Sequence, residues 1–336
     1  MDFPGSHILS IEQFERADVR RLFDVADRMA PYAKREKLNR VLEGAILGSM
    51  FFEASTRTRV SFGCAFNLLG GSVRETTGFE HSAIAKGESL YDTARVLSGY
   101  SDIIVMRHPE AGSAKNFADA SRVPVINGGD GSNEHPTQAL LDLYTIEKEL
   151  ARSGRSVDGL HIALVGDLKY GRTVHSLCKL LCLYDKITVK LISPQALQLP
   201  GDMEEMLRSA GHQVLSSDQM EPHISDVDII YATRVQEERF PGSQAPDYRD
   251  LYRLDEAVYT RHCDPNTVIM HPLPRDSRHG RSELDEDLNE HPNLAIFRQT
   301  DNGVLVRMAL FALIFAVADD LEQHTVPIRW HSRHRR

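Results

Sequence analysis

The sequence predicts an α/β protein of two doubly wound domains, each a parallel sheet flanked by helices. Three observations predict it. The chain has 336 residues, more than one domain usually holds. Short apolar runs alternate with polar clusters and helical periodicity along its length. At 41% hydrophobic and 26% charged, it has the make-up of a globular chain that buries a core without disulfide staples.

In chain order, AILGSMFF (45–52) precedes EASTRT, DIIVM (102–106) precedes RHPE, and PVI (124–126) precedes NGGDGSNEHPTQ. Further on, HIALV (161–165) precedes GDLKYGR, DIIYA (228–232) precedes TRVQ, and TVIM (267–270) precedes HPLPR. Each run reads as a strand with a polar loop at its carboxyl end. After Ser55 the pattern turns helical: Phe62, Phe66 and Leu69 share a face, and Gly70 and Gly71 end it. A helix over 138–150 ends in the linker ARSGRSVDG. The first domain is therefore placed at 1–151 and the second at 152–303, with a last apolar helix, 304–325, packing back on the first. Segments 76–89 and 236–250 read as mobile loops, being polar and broken by glycine or proline. Residues 276–291 are polar and suggest no role. HTVPIRWHSRHRR, the last stretch, reads as a frayed, solvated basic tail.

Several function classes are excluded. A net charge of -9 argues against nonspecific nucleic-acid binding, while leaving room for a local positive pocket. The longest apolar run, Val304 to Ala318, is too short to span a bilayer and contains Arg307, so no membrane role is expected. No basic segment followed by an apolar one opens the chain, so no secretory signal is expected, and a cytoplasmic location is. Cys178 and Cys182 can share a helix face, but no second pair or nearby histidine completes a zinc site. No metal and no cofactor are expected, and the cysteines read as reduced core residues. GDLKYGR follows a strand, yet it has neither dinucleotide glycine spacing nor the lysine–hydroxyl end of a P-loop.

In open parallel sheets, ligands bind outside the carboxyl ends of the strands. All six polar clusters fall there, which predicts one site assembled from distant loops. Ser55, Thr56, Arg57 and Thr58 occupy a helix N-terminus. There the first N–H groups lack intrahelical partners and the dipole favours an anion. Arg57 adds a bidentate donor, and a phosphate fits such a place. An ordinary N-cap accounts for one hydroxyl; it accounts poorly for three hydroxyls and an arginine.

These residues carry a resemblance. STRTR (55–59) resembles the carbamoyl-phosphate motif of the carbamoyltransferases. MRHP (106–109), GDGSNEHPTQ (129–138), VGDLKYGRTVHSL (165–177), TRVQ (233–236) and HPLPR (271–275) follow in the family's order over most of the chain. They resemble the aspartate-specific members of the aspartate/ornithine carbamoyltransferase family. The resemblance implies carbamoyl transfer from carbamoyl phosphate to the α-amine of L-aspartate, in pyrimidine biosynthesis. No covalent enzyme intermediate is implied; positioning and electrostatic stabilisation suffice.

Carried over by position, the resemblance makes Ser55, Thr56, Arg57 and Thr58 the phosphate cradle, with Arg107 as a second guanidinium. His135 donates to the carbamoyl oxygen, Gln138 holds the carbamoyl amine, and Arg57 and Thr58 reach the developing oxyanion. Leu273 and Pro274 present backbone carbonyls. Arg172 and Arg234 clamp the aspartate carboxylates, with Gln236 assisting, since a planar guanidinium matches a carboxylate better than lysine does. Ser82 and Lys86 enter the site of a neighbouring subunit in a homotrimer, Ser82 toward carbamoyl phosphate and Lys86 toward aspartate and the chemistry. Regulatory or other pyrimidine-pathway chains stay open as partners.

Taken singly, each residue has a plainer reading: an ion pair for the arginines, a turn for His135, an exposed helix start for Gln138, a rigid loop for HPLPR. An ornithine-specific enzyme of the family is the nearest alternative. It needs acidic recognition of its acceptor and typically carries cysteine where this chain has Pro272. A non-catalytic paralogue predicts gaps among the phosphate donors, and none is missing here.

Overall fold

The computed structural model describes residues 1–77, 87–234, 249–276 and 282–330. The chain forms two compact units, Met1–Thr137 with Asp301–Arg336, and Gln138–Thr300.

The first unit contains α1 (Arg16–Ala33), β1 (Leu38–Asn39), β2 (Ile46–Phe51), α2 (Thr56–Leu68), β3 (Ser72–Thr77), α3 (Leu90–Leu97), β4 (Ile103–His108), α4 (Ser113–Ala120) and β5 (Val125–Asp130). Its main sheet is parallel throughout, in the order β3-β2-β4-β5. The chain winds from β2 outward to β3, then crosses to β4 on the other side. That reversal places a switch point, where ligands bind, at the carboxyl ends of β2 and β4. β4 and β5 are buried at all six positions, as strands covered on both faces are. Near their ends the register slips: Met106 faces Asn127, but His108 faces Asp130. β5 thus holds one extra residue beside Arg107, a bulge of the kind that re-aims side chains at sites.

α2 ends at Gly70, whose φ of +94° suits the left-handed C-terminal position; a Cβ there would stand 2.8 Å from Arg40 Cα. The predicted face of α2 is buried against α9 (Ile296–Ile314), where Phe311 stands edge-on to Phe62 at 6.0 Å and to Phe66 at 4.9 Å. Arg307 is tolerated inside this apolar helix because its guanidinium lies 4.7 Å from the Phe62 ring centre and donates to Ser61 Oγ at 2.7 Å. The expected helix 304–325 needs correction at both ends: α9 begins at Ile296, because its first turns are polar, and stops at Ile314, with Thr325 already in a strand. The expectation of a frayed tail from 324 onward needs correction: β11 (Thr325–Val326) pairs antiparallel with β1.

The second unit contains β6 (His161–Val165), α6 (Arg172–Leu181), β7 (Thr188–Ile192), α7 (Gly201–Ser209), β8 (Gln213–Ser217), β9 (Ile229–Ala232), α8 (Glu256–His262) and β10 (Val268–Met270). Its sheet is parallel in the order β10-β9-β6-β7-β8. Here the winding reverses between β6 and β9, giving a second switch point. The buried core joins Ala163, Val165, Ile192, Ile230 and Ile269 of the strands to Leu254, Tyr259, Leu284 and Leu288. Cys178 is fully buried on α6, where burial pushes its thiol up and keeps it inert.

The division between units falls inside α5 (Pro136–Ala151), at 137/138, and inside α9, at 300/301. The sequence reading puts it at 151/152, at the polar linker, because a continuous helix shows no break in its periodicity.

Candidate active site

Ser55 is the N-cap of α2, at φ −158° and ψ 90°, yet its side chain makes no capping bond and the first turn holds no acidic residue. The positive end of this helix is therefore not neutralised locally. Thr56 and Arg57 are exposed, while Thr58 is buried with its Oγ1 3.5 Å from His135 Nε2. Partial desolvation draws the Arg57 guanidinium below its ordinary value, which leaves an arginine cationic.

Arg107 is the last but one residue of β4 and is 8% exposed. Its Nε donates to Glu53 Oε2 at 2.8 Å and its Nη1 donates to the Gly128 carbonyl at 3.3 Å, so the guanidinium is held by the loop after β2 and by the bulge in β5. The loop bearing His135 is braced from both sides. The Asp130 carboxylate accepts from the Gly112 and Glu134 N–H groups and from Asn127 and Asn133 Nδ2. The Glu134 carboxylate accepts from Ser10 Oγ at 2.8 Å and the Ile11 N–H at 2.9 Å. Two buried acids spent on backbone, amide and hydroxyl donors fix where the neighbouring imidazole stands. His108 is a different case: its Nδ1 accepts from the Glu110 N–H at 3.1 Å, and burial, outweighing nearby acids, pushes its pKa down.

In the second unit, Arg172 opens α6 after the turn that follows β6, and Arg234 follows β9. β6 and β9 are hydrogen-bonded neighbours, Val165 opposite Ala232. The two loops interlock there. Gly166 has φ +110°, and a Cβ on it would stand 2.3 Å from the Thr233 carbonyl. Thr233 Oγ1 in turn donates to the Val165 carbonyl at 3.0 Å. Arg172 is 8% exposed and Arg234 half-buried. Leu273 and Pro274 follow β10, joined by a cis peptide, with Leu273 at φ +55°. His271 fixes that turn: its Nδ1 accepts from the Leu273 N–H at 2.8 Å and its Nε2 lies 2.8 Å from Glu283 Oε1. Glu283, within the segment 276–291 that the sequence leaves without a role, thus braces that turn.

The predicted residues thus fall into two groups. Ser55, Thr56, Arg57, Thr58, Arg107 and His135 belong to the first unit, and Gln138, Arg172, Arg234, Leu273 and Pro274 to the second. Ser82, Lys86 and Gln236 lie outside the described residues. Gln138 donates from Nε2 to Asp142 Oδ1 at 2.8 Å, a partner the sequence reading missed although the i,i+4 spacing on a helix was there to be read. Glu53 and Glu283 carried no such local signal. Among the described residues, no group of three or more His, Cys, Asp or Glu side chains is placed to hold a metal ion, and no helix is long and apolar enough to cross a membrane.

Comparison with known proteins decides the family. Residues 6–148 match the carbamoyl-P binding domain of aspartate/ornithine carbamoyltransferase, and residues 158–314 match its Asp/Orn binding domain. The chain belongs to the aspartate/ornithine carbamoyltransferase family. It is 68% identical to the aspartate carbamoyltransferase catalytic subunit of Saccharophagus degradans over 335 residues, 99% of each chain. It is 65% identical to that of Cellvibrio japonicus over 333 residues, 99% of this chain and 98% of the relative. Among solved structures, it resembles aspartate transcarbamoylase of Trypanosoma cruzi in complex with N-(phosphonacetyl)-L-aspartic acid, with TM-score 0.83 and 40% identity over 93% of this chain and 96% of that one. The catalytic subunit of the M. jannaschii enzyme matches with the same TM-score and identity, over 94% and 99%. The family's two domains sort the predicted residues as the compact units do, except Gln138, which lies in the stretch matched to the carbamoyl-P domain but in the second unit.

Proposed function

We propose that this chain transfers the carbamoyl group of carbamoyl phosphate to the α-amine of L-aspartate, giving N-carbamoyl-L-aspartate and phosphate in pyrimidine biosynthesis. One observation carries the reading: each unit ends its sheet, at the switch point, in cationic donor-rich loops. Those of the first unit (Ser55–Thr58, Arg107, His135) suit a phosphate with an adjacent carbonyl. Those of the second (Arg172, Arg234) suit two carboxylates. Relatives named aspartate carbamoyltransferase, and a similar structure that binds N-(phosphonacetyl)-L-aspartic acid, support aspartate as the acceptor.

In this reading Ser55, Thr56, Arg57, Thr58 and Arg107 hold the phosphate. The neutral amine attacks the carbamoyl carbon, a C–N bond forms, and the carbonyl oxygen takes the charge. His135, Arg57 and Thr58 donate to that oxygen, where fixed dipoles help most. The Leu273 and Pro274 carbonyls accept from nitrogen. As the intermediate collapses the C–O bond breaks, and the amine proton leaves with the phosphate. Arg172, Arg234 and Gln236 hold the acceptor's carboxylates.

Carbamoyl transfer measured with aspartate, with ornithine and with neither tests the reading. Product dependent on aspartate is expected; product formed with ornithine alone overturns it. Transfer to both acceptors at equal efficiency also overturns the assigned specificity.

The assembly we propose is a cytoplasmic homotrimer in which Ser82 and Lys86 serve the neighbour's site. The relatives' name, catalytic subunit, supports looking for regulatory chains as well. Light scattering with and without such chains measures both.

A further inference from the structure

The Asp142 carboxylate is fully buried, and donors from three elements converge on it. Gln138 Nε2 donates to Oδ1 at 2.8 Å, Gln299 Nε2 to the same oxygen at 2.6 Å, and the Tyr231 hydroxyl to Oδ2 at 2.7 Å. Burial first, and the Asp142 charge second, hold the Tyr231 phenol well above its ordinary value, so it remains a donor. Tyr231 also hydrogen-bonds Thr173, the residue after Arg172. Gln299 accepts at Oε1 from the His271 N–H at 3.1 Å, and so ties Asp142 to the turn that carries Leu273 and Pro274.

A carboxylate without a proton only accepts. Facing it, Gln138 must present its NH2 group, which turns its carbonyl oxygen the other way. An acceptor is what a carbamoyl NH2 requires. The reversed amide would set acceptor against acceptor and deprive the buried carboxylate of a donor. Tyr231 and Gln299 keep the carboxylate itself from rotating.

We propose that Asp142 is a positioning residue that fixes the amide orientation of Gln138, and so presents an acceptor to the carbamoyl nitrogen. This rests on the carbamoyl-transfer reading and assigns a role to a residue which never touches substrate.

The test is a double-mutant cycle in the full-length chain, read by steady-state kinetics in both substrates and by thermal unfolding. Asp142→Asn keeps the shape but can offer an NH2 where only acceptors stood. It is expected to lower kcat/KM for carbamoyl phosphate about tenfold, with aspartate KM changed less than about twofold. In a Gln138→Ala background the same substitution is expected to cost less than about twofold, because the group it orients is gone. Asp142→Ala should show the same coupling with a larger loss; should it fail to fold, Asp142→Asn decides alone. Unchanged kinetics in Asp142→Asn, or equal losses in both backgrounds, overturn the proposal. If the native chain carbamoylates aspartate and the Asp142 variants are indifferent, this inference alone fails. If the native chain does not, the functional reading fails and this one falls with it.

Discussion

Thr58 and Arg234 stand for the two kinds of residue on which the proposed chemistry rests. Thr58 is buried within reach of His135, so Thr58→Val removes a hydroxyl with little change of shape. It is expected to lower kcat about 100-fold, the usual cost of one donor to a developing oxyanion, with the unfolding temperature little changed. Arg234 follows β9 and clamps a carboxylate in the proposed reading. Losing a charged hydrogen bond costs about 1.5–3 kcal/mol, so Arg234→Ala should raise the aspartate concentration needed for half-saturation about 10- to 100-fold. A variant with native aspartate saturation would refute the clamp. Residues of this kind were legible because the motifs stand directly after apolar runs, where a strand end was expected. Their supports were less so. Asp142 sits at helical spacing from Gln138 and was available to inspection; Glu53 reaches Arg107, and Glu283 reaches His271, only once the chain has folded.

Among the elements, the turn between β6 and α6 has no room for a single added methyl group. Gly166 combines a left-handed φ with a carbonyl only 2.3 Å from the place of a Cβ. Gly166→Ala should lower stability by about 1–3 kcal/mol, through strain and displacement of Thr233. Because the same shift moves the loops of Arg172 and Arg234, the variant should also weaken aspartate saturation, and calorimetry beside kinetics separates the two effects. Six strands were legible as apolar runs, but β3, β7 and β8 were not. β3 (SVRETT) and β8 (QVLSS) are edge strands with polar faces, and β7 (TVKLI) is interrupted by Lys190, whose Nζ reaches the Ser225 carbonyl at 3.2 Å. Edge strands need not be apolar on both sides, so periodicity alone passes over them.

Across the whole molecule, several imidazoles are held neutral by the fold. Desolvation is the leading cause that pushes His7, His108, His175 and His212 below the ordinary 6.5. His212 is locked as a neutral ring, with Nδ1 accepting from the Ile187 N–H and Nε2 donating to the Leu181 carbonyl. As pH falls through 6.5 the unfolded chain binds protons that the folded chain refuses, so stability present above that value is lost below it. Acid titration of the unfolding temperature should therefore show a decline that begins near the ordinary imidazole value, about pH 6.5, ahead of the carboxylates. The proposed sharing of sites between subunits makes a second prediction at this scale. Mixing Lys86→Ala chains with Arg57→Ala chains should restore part of the activity through hybrid trimers, and no recovery despite proven exchange would argue against shared sites.

The return of the chain to its first unit carries a further consequence. β1 waits for β11, and the aromatic face of α2 waits for Phe311, across almost the whole length of the polypeptide. During synthesis the second unit, Gln138–Thr300, is complete before the first, whose last part begins at Asp301. A released chain cut after residue 300 should resist protease within 161–192 more than within 38–68, where β1 and α2 lack β11 and Phe311.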